Sequence, residues 1–465
     1  MHMRGTWLAA GAGLILGLGA LAWLGRSHEP SYGGRPLSVR LGQLADADYQ
    51  VRAEAAKALE NLGPEAVRFL AGALRARDGV LNQAWRKLRV RFSPPMAPGP
   101  EAARIREQAA GLLARLGPAA ASAAPALVEG LADPDLEVRR AVQAALGRLG
   151  PVAVPELVAG LRHYQPTVRR QAAELLGQRA QFGGAIDNAL GPLAASLTDA
   201  APGVRQAAAA SLAAFPGLPN SVVDRLGQTA ADPVPEVRLA AIVPLGGPGV
   251  EPAAARSVLG RLIKDPEPRV QVQAARALWR QTGETNEAVP VLVAQLRDYE
   301  VHWQAALALG DMGPAAAAAI PALLEALEQE AVHRPARTPA SAAVALARMG
   351  PAAVPGLTIR LHHEKAWVRL GAATALAGHG PEARPALDGL LAMLADPDPE
   401  ARMVAAAALA AMGSSARDAL PRLAAMAETS DEYLRASAQN AMTRIQSGTP
   451  PRGGGAEDGI FTKQP

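Results

Sequence analysis

The chain has no cysteine in 465 residues. Disulfides, thiolate metal sites and cysteine nucleophiles are therefore excluded. Lysine is scarce: five residues (57, 87, 264, 365 and 463) stand against 42 arginines. Aromatic residues make up only 3%. A core so poor in rings must be filled by Ala, Leu and Val, which suits closely packed helices better than a β-sandwich. No large excess of one charge exists. The net charge is +4 although the pI is 9.6; spread over this length, it gives little support for a nucleic-acid partner. P-loop, dinucleotide, nucleophile-elbow and zincin motifs are all missing.

What is present is repetition. "DPDLEVRRAVQAALGRLGP" (133–151) has near copies in "DADYQVRAEAAKALENLGP" (46–64) and "DPDPEARMVAAAALAAMGS" (396–414). The dipeptide anchor recurs at Val51-Arg52, Ile105-Arg106, Val138-Arg139, Val168-Arg169, Val204-Arg205, Val237-Arg238, Val270-Gln271, Val301-His302, Val368-Arg369, Ala401-Arg402 and Leu434-Arg435. Most steps are near 33 residues. One gap, from Val301 to Val368, is twice that and hides a degenerate unit ending in "ALARMGP" (345–351). About twelve units result, and a fixed period of this size marks a solenoid.

One unit explains the period. Val138, Ala141, Val142, Ala145, Leu146 and Leu149 fall on one face of a helix. Asp133 and Asp135 precede it, a helix-start signal, and Gly150-Pro151 stops it, with Gly150 suited to a left-handed cap. "VPELVAGLRH" (154–163) then returns as a second helix with Val154, Leu157, Val158 and Leu161 inward. A single hairpin cannot bury its apolar face alone, so neighbours must stack. The fold class expected is all-α, a right-handed superhelical solenoid of helical hairpins over residues 37–446.

The Asp-x5-Arg pairs and the "AA.AL..LGP" runs that follow them resemble the HEAT-repeat family, in the short form named after the phycobilisome lyases. The pairs are Asp46/Arg52, Asp133/Arg139, Asp199/Arg205, Asp232/Arg238 and Asp396/Arg402. The resemblance implies that these residues form a structural ladder and not a catalytic stripe. It also implies a non-enzymatic scaffold that binds partner proteins on a concave face lined by the Val-Arg helices. A shared fold hosts unrelated activities, so a HEAT-fold enzyme, a lyase-like cofactor-handling protein or a regulatory subunit of a separate catalytic chain stays open. No catalytic, cofactor or metal residue is assigned. His163 and His363 stand at the Asp position of their repeats, and Gln271 and His302 replace Arg. His363-Glu364 resembles the iron-binding pairs of HEAT-fold deoxyhypusine hydroxylase, but the only other such pair is His28-Glu29. A metal needs three or four converging ligands, so no metal is expected. His333 has no more support as a ligand. Trp279, Trp303 and Trp367 are expected to pack between helices.

Two segments stand outside the repeats. In the insertion at 78–100, Leu81, Trp85, Leu88 and Phe92 form one helical face, and Arg86, Lys87, Arg89 and Arg91 lie on the other side. An extra solvated helix is the favoured reading; docking to an acidic partner or anionic lipid is the alternative. At the N-terminus, after a head of residues 1–5, residues 6–25 carry no charge. At 1.5 Å per residue they span roughly 30 Å, a bilayer core. Trp7 and Trp23 lie near its two ends. An uncleaved single-pass anchor is expected, with cleavage near Ala22 as the rival. An extracytoplasmic solenoid is favoured, although Arg26, Arg35 and Arg40 against Arg4 alone would face the cytoplasm by the positive-inside rule. Residues 26–36 read as a linker and 447–465 as a Gly- and Pro-rich disordered tail. No nucleic acid and no small-molecule substrate is expected.

Overall fold

A computed structural model describes residues 31–448, apart from 47, 77–100, 182–185 and 330–340. The anchor at 6–25, the pair His28-Glu29, the basic insertion with Arg86, Lys87, Arg89 and Arg91, His333 and the tail from 449 all lie outside the described residues.

The chain divides into two compact units, Met1–Thr229 and Ala230–Pro465. In each, helices that carry the Val-Arg dipeptide (motif helices) alternate with shorter return helices. The motif helices of the first unit are Tyr49–Asn61, Glu101–Leu116, Leu136–Leu149, Pro166–Gln181 and Pro202–Leu212. Its return helices are Pro64–Ala73, Ala124–Gly130, Val154–Gly160, Asp187–Ala195 and Asn220–Thr229. In the second unit the motif helices are Pro235–Leu245, Pro268–Thr282, His302–Met312, Ser341–Arg348, Ala366–His379, Pro399–Ala411 and Glu432–Ser447. Between them run Pro252–Leu262, Ala288–Gln295, Ile320–Gln329, Val354–Arg360, Leu387–Met393 and Leu420–Ala427. The architecture is an all-α solenoid, and Ser341–Arg348 supplies the degenerate unit of the double step.

Local chemistry sets the ends of these helices. Asp135 caps helix Leu136–Leu149 by accepting from the N–H groups of Glu137 and Val138, and Asp48, Asp398 and Asp431 do the same for their helices. At the other end Gly150 has φ 76° and ψ −148°. That is positive φ as expected, but not the left-handed cap. It is the extended mirror region open essentially to glycine alone, and it turns the chain into the short 3-10 segment Gly150–Ala153. Gly63, Gly313 and Gly380 repeat this geometry.

Helix Leu136–Leu149 buries Val138, Val142, Ala145, Leu146 and Leu149, while Ala141 is half-buried. The return helix Val154–Gly160 buries Val154 and Leu157. Each fully buried Leu or Val contributes roughly 1.5–3 kcal/mol, and repetition of this small set builds the core. Successive motif helices approach closely through small residues. A Cβ on Gly310 would lie 2.9 Å from the Ala345 Cα, and one on Gly246 would lie 2.9 Å from the Ala277 Cβ. Neither contact leaves room for a larger side chain.

Among the described residues, two helical stretches, Ala102–Gly130 and His302–Gln329, are long and apolar enough to cross a membrane by length and composition. Gly117 and Gly313, at φ 57° and 58°, break each into a hairpin arm and its return. Both are half-buried inside the repeats, as core helices of a solenoid are. Before the first helix, Ser31–Tyr32 pairs antiparallel with Arg35–Pro36. Gly33 and Gly34 between them both have positive φ, which a two-residue primed turn requires. The end of the segment expected as linker is thus a small hairpin, and the Tyr32 hydroxyl accepts a hydrogen bond from Asn61 at 2.9 Å.

Candidate interaction edge

Among the described residues, the turns into the motif helices repeat one chemistry. The Asp133 Oδ1 accepts the N–H of Asp135 at 2.9 Å. Asp46, Asp199, Asp232, Asp265, Asp298 and Asp396 accept in the same way from the residue two places on. This is the Asx turn that pre-forms a helix start. Six residues after the Asp, the Arg folds back. Arg52, Arg139, Arg205, Arg238 and Arg402 each donate Nη1 to the carbonyl of their own Asp, at 2.6 to 2.9 Å.

The second half of the arrangement joins repeats. Arg238 sends Nε and Nη2 to the two carboxylate oxygens of Asp265, one repeat on, both at 2.7 Å. Arg106 grips Asp133 in the same two-pronged way, as do Arg169 with Asp199 and Arg369 with Asp396. The planar guanidinium matches the carboxylate edge. These pairs are largely shielded: the side chains of Arg238 and Asp265 are 10% and 6% exposed. The bond to the carboxylate raises Arg169, Arg238 and Arg369 above the ordinary arginine value. The Arg369 bond is the largest influence holding the Asp396 carboxyl below the usual carboxylate range. For Asp199, burial pushes the carboxyl upward, and Arg169, the Ala201 N–H and the charge of Arg205 together outweigh it. In these four pairs the motif's charges hold turn to turn.

The exceptions are now explicit. His163 keeps the turn, because its Nδ1 accepts the Gln165 N–H at 3.2 Å, but it offers no carboxylate to the preceding repeat. Arg139 donates to the carbonyls of Asp133 and Pro134. His363 likewise accepts from the Lys365 N–H at 3.1 Å. An accepting Nδ1 places the proton of the neutral ring on Nε2. Gln271 reproduces the backbone half of the Arg role, donating to the Asp265 carbonyl, and accepts from Gln295. His302 Nδ1 lies 2.9 Å from the Tyr299 carbonyl. Among the described residues no three His, Asp or Glu side chains gather to hold a metal.

A feature that the expectation of packed tryptophans missed lies on this same edge. Tyr49, Tyr164, Tyr299 and Tyr433 stand at the turns into their motif helices and are 73 to 79% exposed. Trp303 and Trp367, each the second residue of its helix, are 42% and 41% exposed, so they do not pack between helices. The reason is phase. Each sits one or two residues from the buried Val301 or Val368, and one residue turns a helix by about 100°. Lys365 Nζ lies over the Trp367 ring at 5.4 Å, and the His163 and Tyr164 rings lie 4.5 Å apart.

The family model described as HEAT repeats matches six overlapping stretches, 100–176, 154–246, 223–301, 255–347, 320–409 and 354–443. Together they cover well over half of the chain. The chain belongs to the HEAT-repeat family. Among solved structures this HEAT-repeat chain is similar to Kap121p bound to Ste12p, at 16% identity and a TM-score of 0.54 over 88% of this chain and 48% of that one. Kap121p bound to Pho4p gives 15% identity and a TM-score of 0.53, covering 88% and 49%. The chain thus spans about half the length of these structures, and at such identity the likeness is one of fold. No curated protein matches the chain.

Proposed function

We propose that this HEAT-repeat protein is a non-enzymatic scaffold that binds partner proteins through its motif helices and the turns leading into them. The observation that carries this reading is the exposure of Tyr49, Tyr164, Tyr299 and Tyr433, each within four residues before the motif Val or Leu of its repeat. A ring left in water beside a polar turn offers a large contact area at low entropic cost. The Asp and Arg of the described pairs are engaged within the turns, and the exposed rings present most of their surface to solvent. Kap121p, of similar fold, is a protein that binds Pho4p and Ste12p, which supports a binding role for such a solenoid. The uncharged stretch at 6–25 would hold the scaffold at a membrane.

Affinity capture from native membranes, with the full chain as bait, tests the scaffold. A set of partners recovered by the wild type and lost with Tyr164→Ser, Tyr299→Ser and Tyr433→Ser combined is the expected outcome. Partners retained undiminished would defeat the aromatic edge as the contact surface. Stoichiometric metal or pigment in the purified protein would overturn the non-enzymatic part. An N-terminal sequence of the mature chain starting at Trp23 would end the anchor.

A further inference from the structure

The far ends of three successive motif helices carry a different arrangement. Arg276, Trp279 and Arg280 lie in the last turns of helix Pro268–Thr282, Asp311 lies near the end of His302–Met312, and Arg348 closes Ser341–Arg348. Asp311 occupies the place, two residues before the turn glycine, where Arg115, Arg148 and Arg348 stand in their own repeats. Its carboxylate takes Arg276 on Oδ2 and Arg348 on Oδ1 at 3.2 Å, with Arg280 Nη2 at 3.9 Å. Three guanidinium groups thus gather at one carboxylate, while the nearby Glu284 and Glu287, just beyond the first helix, share the one guanidinium of Arg256, so the whole group carries a surplus of one positive charge.

One carboxylate cannot satisfy three five-donor forks. Arg280 and Arg348 keep about half their side-chain surface in solvent, at 54% and 50%, and Arg276 Nε is buried with no acceptor. Arg276, Trp279, Arg280, Gly283 and Asp311 line a cleft of about 540 Å³. Gly283, at φ 69°, has nothing within 4 Å of where a Cβ would lie, so the cleft is open on that side. The half-buried Trp279 gives it one flat apolar wall.

We propose that this cleft binds an oxyanion carried on a segment of a partner protein, either an acidic side-chain carboxylate or a phosphate ester. Arg280, in the cleft lining, takes the oxyanion; Arg348, on the other oxygen of Asp311, adds its charge from outside the lining; and Trp279 meets the residue beside it. Guanidinium forks favour planar, two-point contact with such groups. The shallow, open cleft suits an oxyanion that brings neighbouring contacts of its own, as one on a polypeptide does. This inference rests on the scaffold reading and names the chemistry of one contact.

The test uses the full chain and fluorescein-labelled short peptides: one with a run of glutamates, one with a single phosphotyrosine, and an uncharged Gly-Ser control. Fluorescence anisotropy should show saturable binding of one or both charged peptides, and whichever binds more tightly identifies the source of the oxyanion. Arg280→Ala should weaken it by about tenfold, the effect of losing a charge-assisted hydrogen bond, and Arg348→Ala by a smaller factor, still above about twofold, through lost charge. Arg280→Lys should not restore it fully, because an ammonium lacks the fork. Asp311→Asn should strengthen it by removing the internal competitor, a gain that a purely structural Asp311 would not produce. Both arginines are half-exposed, so unchanged thermal unfolding of the alanine variants is the check on folding. Neither charged peptide binding better than the control, or binding within about twofold of wild type in both alanine variants, would overturn the proposal. Partner capture lost with the tyrosine variants but peptide binding absent would leave the scaffold standing and this cleft refuted.

Discussion

The two ends of a motif helix use the same ion pair to opposite effect. At the turn end, Arg238 meets Asp265 one to one, with both prongs filled and both side chains shielded. At the far end, Arg276, Arg280 and Arg348 crowd onto Asp311, half in water and with donors to spare. A closed pair fixes one repeat against the next, while an open cluster keeps capacity for something else. The difference lies in stoichiometry and burial and not in residue type. Counting arginines along the chain could not distinguish the two.

The largest test of this contrast is Asp265→Ala. It removes the turn acceptor for the Glu267 N–H and strands the Arg238 guanidinium among buried groups. A loss of about 3 kcal/mol is expected, since an uncompensated buried charge remains, and the urea unfolding midpoint of the second unit would report it. A midpoint shift like that of a surface substitution would break the claim that the pair is structural.

His163→Asp runs the other way. It keeps an acceptor for the Gln165 N–H and gives Arg139 a carboxylate like the one Arg106 finds in Asp133. A gain of about 1 kcal/mol is expected, and it should vanish when Arg139→Ala is added. Persistence of the gain in the double variant would show that His163 is replaced for some other reason.

Acid sharpens the contrast further. Burial is the main influence lowering His379 below its ordinary value; the Leu346 backbone and Glu382 act against it. A depressed folded-state value means that the neutral ring supports the fold above about 6.5 and that this support is lost as pH falls through the folded-state value. His379→Gln should flatten the stability profile in that window. The depressed Asp199 and Asp396 carboxyls contribute above about 3.8, and their support disappears only in stronger acid. A profile flat from neutral pH down to the carboxylate range in the wild type would contradict the His379 assignment.

The smallest expected effect belongs to the far end. Asp311→Asn should change stability by less than about 1 kcal/mol, because pairs with Arg280 and Arg348, which keep about half their surface in water, contribute little. A loss comparable with that of Asp265→Ala would make the cluster structural and remove the contrast.

Much of this was legible in the chain. The Val138 to Leu149 spacing, the Asp135 start and the Gly150-Pro151 stop mark a helix whose ends the structure reproduces. The hairpin at Ser31–Pro36 is legible too, in its Gly-Gly pair, although composition alone reads that stretch as linker. The exposed Trp303 and Trp367 were written in their offset from Val301 and Val368, a phase hidden by the general rule that large rings go inside. The grip of Arg238 on Asp265 was not legible. The same Asp-x5-Arg pattern that gives Asp232/Arg238 also gives Asp133/Arg139, and Arg139 finds a histidine at the corresponding place.

The division follows the range of the forces. Helix starts, stops and buried faces depend on hydrogen bonds and apolar spacing within about four residues, and those are read directly from the order of side chains. Which arginine meets which carboxylate depends on the offset at which one hairpin settles on the next. Contacts as close as Gly310 on Ala345 set that offset across more than thirty residues of chain. Only the stacked structure could place Arg276, Arg280 and Arg348 around a single Asp311.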